Sequence, residues 1–313
     1  MSRPAADRAH AARRSRRLAD RAVRGVFFAC AAGTVLAFAL LFLFVLRGGL
    51  PLVWDPTVYE EANWATLFQT AVWQPISEMP RYGLWPLLAG TAKVVVISLL
   101  FAVPVGVGAA LYASEFASPR AREWIKPAVE ILAGIPSVVL GFFALLVLAS
   151  WLQAVTGSTS RLNALNAGIA LGMGLVPFIF TMCEDAFRAV PQSFREASLA
   201  LGATRWQTAS RVTLPAASVG VSAAVLLGAA RAFGETMIVL MASGNAALLG
   251  WNPFDSVRTV SATIAAELGE VVVGSAHYTV LFFLGGILFL VTFVVNAVSG
   301  QLMDNMRRKL AGR

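Results

Sequence analysis

Hydrophobic residues occur along this chain in long blocks separated by short polar stretches. A helix that crosses a bilayer needs about 20 mostly apolar residues, because each residue rises about 1.5 Å and every backbone polar group must be bonded within the segment. Six blocks meet this requirement, so the pattern predicts an all-α membrane protein with six transmembrane helices. The predicted spans are residues 26–46, 84–112, 127–152, 164–183, 214–243 and 278–300.

The charges of the connecting segments predict the orientation of these spans. Arg and Lys number eight before the first span, three between the second and third, four between the fourth and fifth, and four after the last. The alternate connections together hold only four. Segments rich in Arg and Lys stay in the cytoplasm, so we expect both termini to be cytoplasmic.

Composition supports a membrane setting, since 58% of the residues are hydrophobic, 13% are charged and the mean hydropathy is +0.71. A net charge of +8 would suggest nucleic acid in a soluble protein, but these charges sort by loop. We therefore expect a lipid bilayer and no nucleic acid. The chain has two cysteines, Cys30 and Cys183, each next to or inside an apolar stretch, and two histidines, His10 and His277, that are far apart in sequence. These residues predict no disulfide, metal site or cofactor.

The chain is expected to divide into four parts. A basic cytoplasmic tail without packed structure covers residues 1–25, and residues 26–83 hold the first span and an outward loop. That loop carries or adjoins four tryptophans, which predicts a position at the membrane interface or against an external partner. Residues 84–300 form the core permease domain, and 301–313 form a cytoplasmic tail. The first hydrophobic block is longer than the core of a secretory signal, so it is interpreted as a span.

The cytoplasmic loop at residues 190–215 is predicted to contain two short helices. Ser193 with Glu196 has the spacing of a capping box, and Thr204 with Gln207 repeats it. Gly202 lies between them and is the residue type that ends a helix in the left-handed conformation. A loop with such closely spaced helix signals is expected to be ordered.

The first of these helices carries a small apolar patch that includes Ala197 and Leu201, which favours a docking surface for another protein. The loop also resembles the EAA motif of ABC importer permeases, through Glu196-Ala197-Ser198, Gly202 and Val212-Thr213-Leu214-Pro215. Ser198 and Val212 depart from the motif, which has Ala and Ile there. The resemblance implies that Glu196, Ala197, Gly202, Leu214 and Pro215 couple the permease to an ATPase subunit.

Further segments are similar to the permease pair of phosphate importers, and within it to the PstC-like member. The resemblance covers about residues 85–300 and implies the six-helix fold of type I ABC importer permeases. It also implies a PstA-like sibling permease, two ATPase subunits and an external phosphate-binding protein. Other small oxyanions such as sulfate, molybdate or phosphonate stay open as cargo. The similar segments are residues 134–137, 141–143, 231–237, 243–245, 267–270 and 274–278.

Arg231 and Glu235 lie inside the fifth predicted span, four residues apart and therefore one turn apart on a continuous helix. A charge at the centre of a bilayer costs about 2.5–3.5 kcal/mol and needs a partner or a watery path. Two interpretations follow: a buried pair that fixes helix packing, or a substrate path in which Arg231 meets an oxyanion. The resemblance favours the path.

Two other features inside the spans are interpreted as structural. Lys93 lies about eight residues into the second span, too deep to reach the interface easily. Gly168 and Gly172 have the spacing of a close contact between two membrane helices.

The sequence argues against an enzyme. A phosphate-binding P-loop requires Gly directly before Lys, and the three lysines follow Ala92, Ile125 and Arg308. ATP hydrolysis is therefore expected in a separate subunit. A membrane-embedded hydrolase or lipid transferase is the alternative from another class, but no recognisable catalytic set supports it.

Overall fold

The computed structural model describes the backbone of residues 3–310 and the side chains of residues 21 and 23–304. Five helices are long and apolar enough to cross a membrane, and a bent pair of helices makes a sixth candidate. The predicted number of spans is confirmed when that pair counts as one. Spans 1 to 6 are Val23–Trp54, Trp85–Glu115, Ser137–Thr156, Ala164–Arg188, Arg205–Ala216 with Ser218–Gly234, and Ala276–Asp304.

The helix that contains span 1 begins at Arg3 and runs to Gly49. The expectation of a tail without structure is therefore wrong for residues 3–25, because this Ala- and Arg-rich stretch has high helix propensity and no proline after Pro4. Residues 1–2 and 311–313 of the two predicted tails lie outside the described residues. The last helix runs from Ala276 to Leu310.

Short elements fill the connections. On one side they are the helices Pro51–Trp54, Pro56–Glu61 and Trp64–Gln69, the strands Trp73–Gln74 and Arg81–Tyr82, and the helices Met237–Ala242 and Val260–Glu267. On the other side they are the helices Pro119–Ala133, Gln192–Ala200 and Arg205–Thr208. Single π-helical turns lie at Ala144–Leu148 and Ala209–Thr213, the second followed by a helical turn at Leu214–Ala216.

Span 3 starts later than residue 127, the predicted start. Gly134, Ile135 and the extended Pro136 (φ −59°, ψ 140°) interrupt the helix, so the span begins at Ser137. The preceding helix, Pro119–Ala133, is amphipathic and has no buried residue. The apolar residues at its end made it look like the beginning of a span.

Span 5 is not the single continuous helix predicted at residues 214–243. Its two parts meet at 68° around Ala217, shortly after Pro215, which lacks the backbone donor that a straight helix needs. The second part ends at Gly234, and a separate helix begins at Met237.

Spans 2 and 4 pack together in the centre of the core. A Cβ atom on Gly168 would overlap Ile97, and one on Gly172 would lie 2.8 Å from Phe101 Cδ1. The predicted close helix contact at these glycines is confirmed.

The connections at the end of the bundle opposite residues 190–215 are tied together by Glu267. Its carboxylate accepts a hydrogen bond from Trp73 Nε1 (3.2 Å) and pairs with Arg258 (2.6 Å) and His277 (2.9 Å). Tyr82 stacks edge-on against Trp73, and its burial, followed by the charge of Glu61, raises its pKa to about 12. Trp73 is buried here, whereas Trp54, Trp64 and Trp85 are exposed as an interfacial position requires.

Candidate transport site and coupling loop

Arg231 and Glu235 lie at a break between two helices rather than on one continuous helical face. Arg231 belongs to the last turn of Ser218–Gly234, and Glu235 follows in extended conformation (φ −70°, ψ 131°). The hydroxyl of Ser261, in the helix Val260–Glu267, donates to the backbone oxygen of Glu235 (2.8 Å) and so stabilises this break. The prediction that the two side chains stack one helical turn apart is therefore wrong in its geometry.

The break nevertheless places both charged residues in one cavity. The cavity has a volume of about 50 Å³ and lies between spans 3, 4 and 5. The start of span 3 contributes Ser137, and the rest of the lining is mostly apolar. The apolar lining is Leu132, Ala133, Ile135, Leu140, Leu171, Gly174, Leu175 and Ile238.

The guanidinium of Arg231 has no counter-charge in direct contact. Its central carbon lies 5.5 Å from the centre of the Phe178 ring, a cation–π distance. Among the side chains described, no carboxylate oxygen lies within 4.0 Å of it, Glu235 included. The Glu235 carboxylate instead faces the backbone nitrogen of Ile238 at a long 3.5 Å. The direct ion pair required by the structural interpretation is not formed, and the side chain of Arg231 is exposed in this single chain.

The coupling loop, residues 190–215, has the two predicted helices, Gln192–Ala200 and Arg205–Thr208. Gly202 between them has φ +84°, and Thr204 and Gln207 form the capping box, so both of these predictions are confirmed. The box predicted at Ser193 is wrong, because the helix already begins after Pro191 and has no side-chain cap.

The predicted coupling residues form an exposed surface at one end of the bundle. Glu196, Ala197, Gly202 and Pro215 are exposed, and Leu214 is half-buried. Leu201 is 90% exposed, and Phe194 and Trp206 are also exposed. An apolar patch of this kind on an ordered loop is typical of a contact with another protein.

Arg195, which was not predicted as a site residue, holds this loop against the bundle. Its guanidinium binds the Glu115 carboxylate at the end of span 2 (2.8 Å). It also donates to the backbone oxygens of Phe187 (2.8 Å) and Val190 (2.7 Å). Arg195 and Glu115 are 80 residues apart, so no local sequence signal points to the pair.

Ser198, one of the two departures from the EAA motif, also has a structural role. Its hydroxyl forms a 2.9 Å hydrogen bond with that of Thr208, which joins the two short helices. An alanine at this position lacks that bond. This contact joins the two short helices to each other, and Arg195 joins the first of them to spans 2 and 4.

A membrane bundle with a broken span around an arginine and an ordered, exposed loop at one end defines a transport permease that works with other subunits. Residues 102–310 match the family described as the inner membrane component of binding-protein-dependent transport systems. The chain belongs to this family of ABC importer permeases, which are inner-membrane proteins. ATP hydrolysis resides in a separate subunit in these importers.

Curated relatives cover most of the chain. A probable ABC transporter permease protein, YqgH, of Bacillus subtilis is 37% identical over 71% of this chain and 72% of its own length. The phosphate transport system permease protein PstC of Mesorhizobium japonicum is 35% identical over 74% of this chain and 76% of its own length. PstC 1 of Mycobacterium tuberculosis is 35% identical, with 72% and 74% covered.

Solved structures support the fold. A bacterial ABC transporter that imports the acidic polysaccharide alginate matches with a TM-score of 0.58 and 17% identity, covering 93% of this chain and 99% of the other. The methionine transporter MetNI, in an inward-facing conformation, matches with a TM-score of 0.53 and 22% identity over 71% of this chain and 94% of the other. The predicted type I permease fold is confirmed.

Proposed function

We propose that this chain translocates inorganic phosphate as the PstC-like permease subunit of an ATP-driven importer. The observation that carries the proposal is Arg231, an arginine without a carboxylate partner among the described side chains, in a cavity between three spans. The phosphate transport names of several relatives support the choice of cargo.

Arginine suits this role because its planar guanidinium binds two oxygens of a phosphate at once and stays charged at any physiological pH. The cavity is small, so an anion that enters it exchanges part of its water for the guanidinium. Glu235 lines the same cavity and weakens the positive field, which favours release of the ion over trapping.

The proposed assembly pairs this chain with a PstA-like sibling around one central path, with two ATPase subunits below and an external phosphate-binding protein above. ATP-driven closure of the ATPase pair moves the coupling loop, and alternating access opens the path outward and then inward. The rigid attachment of the loop through Arg195 and Glu115 transmits this movement to span 2. Nucleotide supplies the bias, because a ligand shifts an equilibrium only through different affinity for its two states.

The cargo is tested by measuring labelled phosphate uptake in cells with and without this chain, in the presence of excess sulfate, molybdate or phosphonate. We expect deletion to remove high-affinity phosphate uptake, and restoration of the chain to recover it. Loss of another anion's uptake with phosphate unaffected would keep the importer and reject phosphate.

The coupling role is tested by Gly202→Asp. Nothing lies within 4 Å of a Cβ atom at Gly202, so a side chain there has space. Its φ of +84° favours glycine, and its exposed position would place the charge of an aspartate on the docking surface. We expect the variant to insert normally and to lose uptake and ATPase binding.

Gly157→Asp is the matched control, because Gly157 also has a positive φ (+66°) with open space around it. It follows the helix Ala149–Thr156 at the opposite end of the bundle, far from the coupling loop. We expect it to retain uptake. Equal loss in both variants would assign the defect to backbone strain, and normal uptake in Gly202→Asp would reject the docking role.

A further inference from the structure

A second cavity lies under the coupling loop. It is polar and has a volume of about 350 Å³. Its walls come from the end of span 2, the helix Pro119–Ala133, the end of span 4 and both loop helices. Four arginines line it, namely Arg122, Arg188, Arg195 and Arg205, against one acidic residue, Glu115. This cavity is separate from the one that holds Arg231.

The protein itself satisfies two of these arginines. Arg195 is bound by Glu115 and by two backbone oxygens, as described above. Arg188 pairs with the buried Glu184, with 2.6 Å between Nη2 and Oε1. The positive charge of these two residues is therefore largely balanced by two carboxylates.

The other two arginines keep an excess of positive charge in the cavity. Arg122 donates through Nε and Nη2 to the backbone oxygens of Ala113 and Ser114, which leaves Nη1 available and the charge without a carboxylate. Within the described residues, Arg205 makes no side-chain hydrogen bond and no ion pair. Two guanidinium groups thus face one polar cavity with no acidic partner of their own among the side chains that the structure describes.

We propose that this cavity binds a phosphate-type oxyanion between Arg122 and Arg205. Guanidinium groups bind phosphate oxygens through paired N–H donors, and an anion there balances the excess charge. The same chemistry is offered by free inorganic phosphate and by the headgroup phosphate of an anionic lipid. The volume accommodates either one.

The position of the site gives it a consequence for coupling. Arg122 is bonded to the end of span 2, whereas Arg205 begins the second helix of the coupling loop. An anion held by both connects the loop to span 2 next to the Arg195–Glu115 pair. This proposal does not depend on phosphate being the cargo, since it concerns different residues at the end of the bundle.

The test uses the full-length chain carrying Arg231→Gln, so that the transport cavity does not contribute to anion binding. Binding of labelled inorganic phosphate is measured in phosphatidylcholine nanodiscs, and retention of phosphatidylglycerol is measured by native mass spectrometry from mixed-lipid nanodiscs. Each is repeated with Arg205→Gln. Arg211→Gln is the matched control, because Arg211 is an exposed arginine of the same loop that does not line the cavity.

We expect Arg205→Gln to weaken binding about tenfold, the effect of one charge-assisted contact, and Arg211→Gln to leave it unchanged. Arg205-dependent binding of phosphate alone would identify free phosphate as the ligand, and Arg205-dependent retention of phosphatidylglycerol alone would identify the lipid headgroup. Absence of both, or equal effects of the two variants, would overturn the proposal. Unchanged thermal unfolding of Arg205→Gln establishes that the loop remains folded.

Discussion

Lys93 and Arg231 are two cations of the membrane spans, and their surroundings differ. Lys93 in span 2 is 7% exposed, and its ammonium donates a 3.1 Å hydrogen bond to the backbone oxygen of Asn252. Arg231 in span 5 is exposed and contacts an aromatic ring, with no oxygen acceptor among the described residues. Lys93 therefore has an oxygen partner within the chain, whereas Arg231 has none among the described residues.

We interpret this difference as that between a structural charge and a proposed functional one. The bond of Lys93 joins span 2 to the connection between spans 5 and 6, so it stabilises the packing of distant segments. A charge kept within the membrane without such a bond costs several kcal/mol unless water, another subunit or an ion solvates it. Arg231 lines a cavity between spans 3, 4 and 5, which we propose as the place where an ion solvates it.

The largest effect is expected from Arg231→Gln. Removing the charge eliminates charge-assisted bonds to the ion worth about 3 kcal/mol, so uptake falls on the order of a hundredfold. Uptake of labelled phosphate is compared with the amount of inserted protein and with recovery of the ATPase subunit on purification. Loss of inserted protein, instead of loss of uptake, would favour a structural role for Arg231.

An intermediate effect is expected from Glu235→Gln. The amide oxygen keeps the acceptor that faces Ile238, so folding is preserved, but Arg231 then holds the anion more strongly. The maximal uptake rate should fall about tenfold, and the phosphate concentration for half-maximal uptake should fall with it. A rise in that concentration would contradict a role in release.

The smallest effect on transport is expected from Lys93→Met. The substitution keeps much of the shape but leaves the Asn252 oxygen without its donor, which costs about 1.5–3 kcal/mol of stability. Thermal unfolding in detergent should shift to lower temperature, whereas uptake per folded molecule should not change. A specific loss of uptake in the folded variant would place Lys93 on the path and remove the contrast with Arg231.

Local features of the loop and spans were predictable from sequence because their causes are local. Hydrophobic length specified the spans, and residue type specified the left-handed Gly202 and the box of Thr204 with Gln207. The capping box at Ser193 failed for a local reason too, since the helix already begins at Gln192, directly after Pro191, and Ser193 lies inside its first turn. Pro191 and Ser193 are both signals for the start of a helix, and the spacing of a capping box does not indicate which of the two the helix uses.

The remaining features depend on contacts between distant segments. The break after Gly234 is held by Ser261, the loop by Glu115, and Lys93 by Asn252, which is 159 residues away. Hydropathy alone continues span 5 through the break, because residues on both sides are apolar. The sequence singled out Arg231 and Glu235 as charged residues within a span, while their relative position required the structure.

The most direct test of a phosphate path at Arg231 is ATP-dependent uptake by the complete importer reconstituted in proteoliposomes. Labelled phosphate uptake is measured with excess sulfate or molybdate, for the wild-type chain and Arg231→Gln at equal protein. We expect the wild-type chain to give phosphate uptake that these anions do not compete away, and Arg231→Gln to lose it. Uptake of a different anion, or undiminished phosphate uptake by the variant, would contradict it.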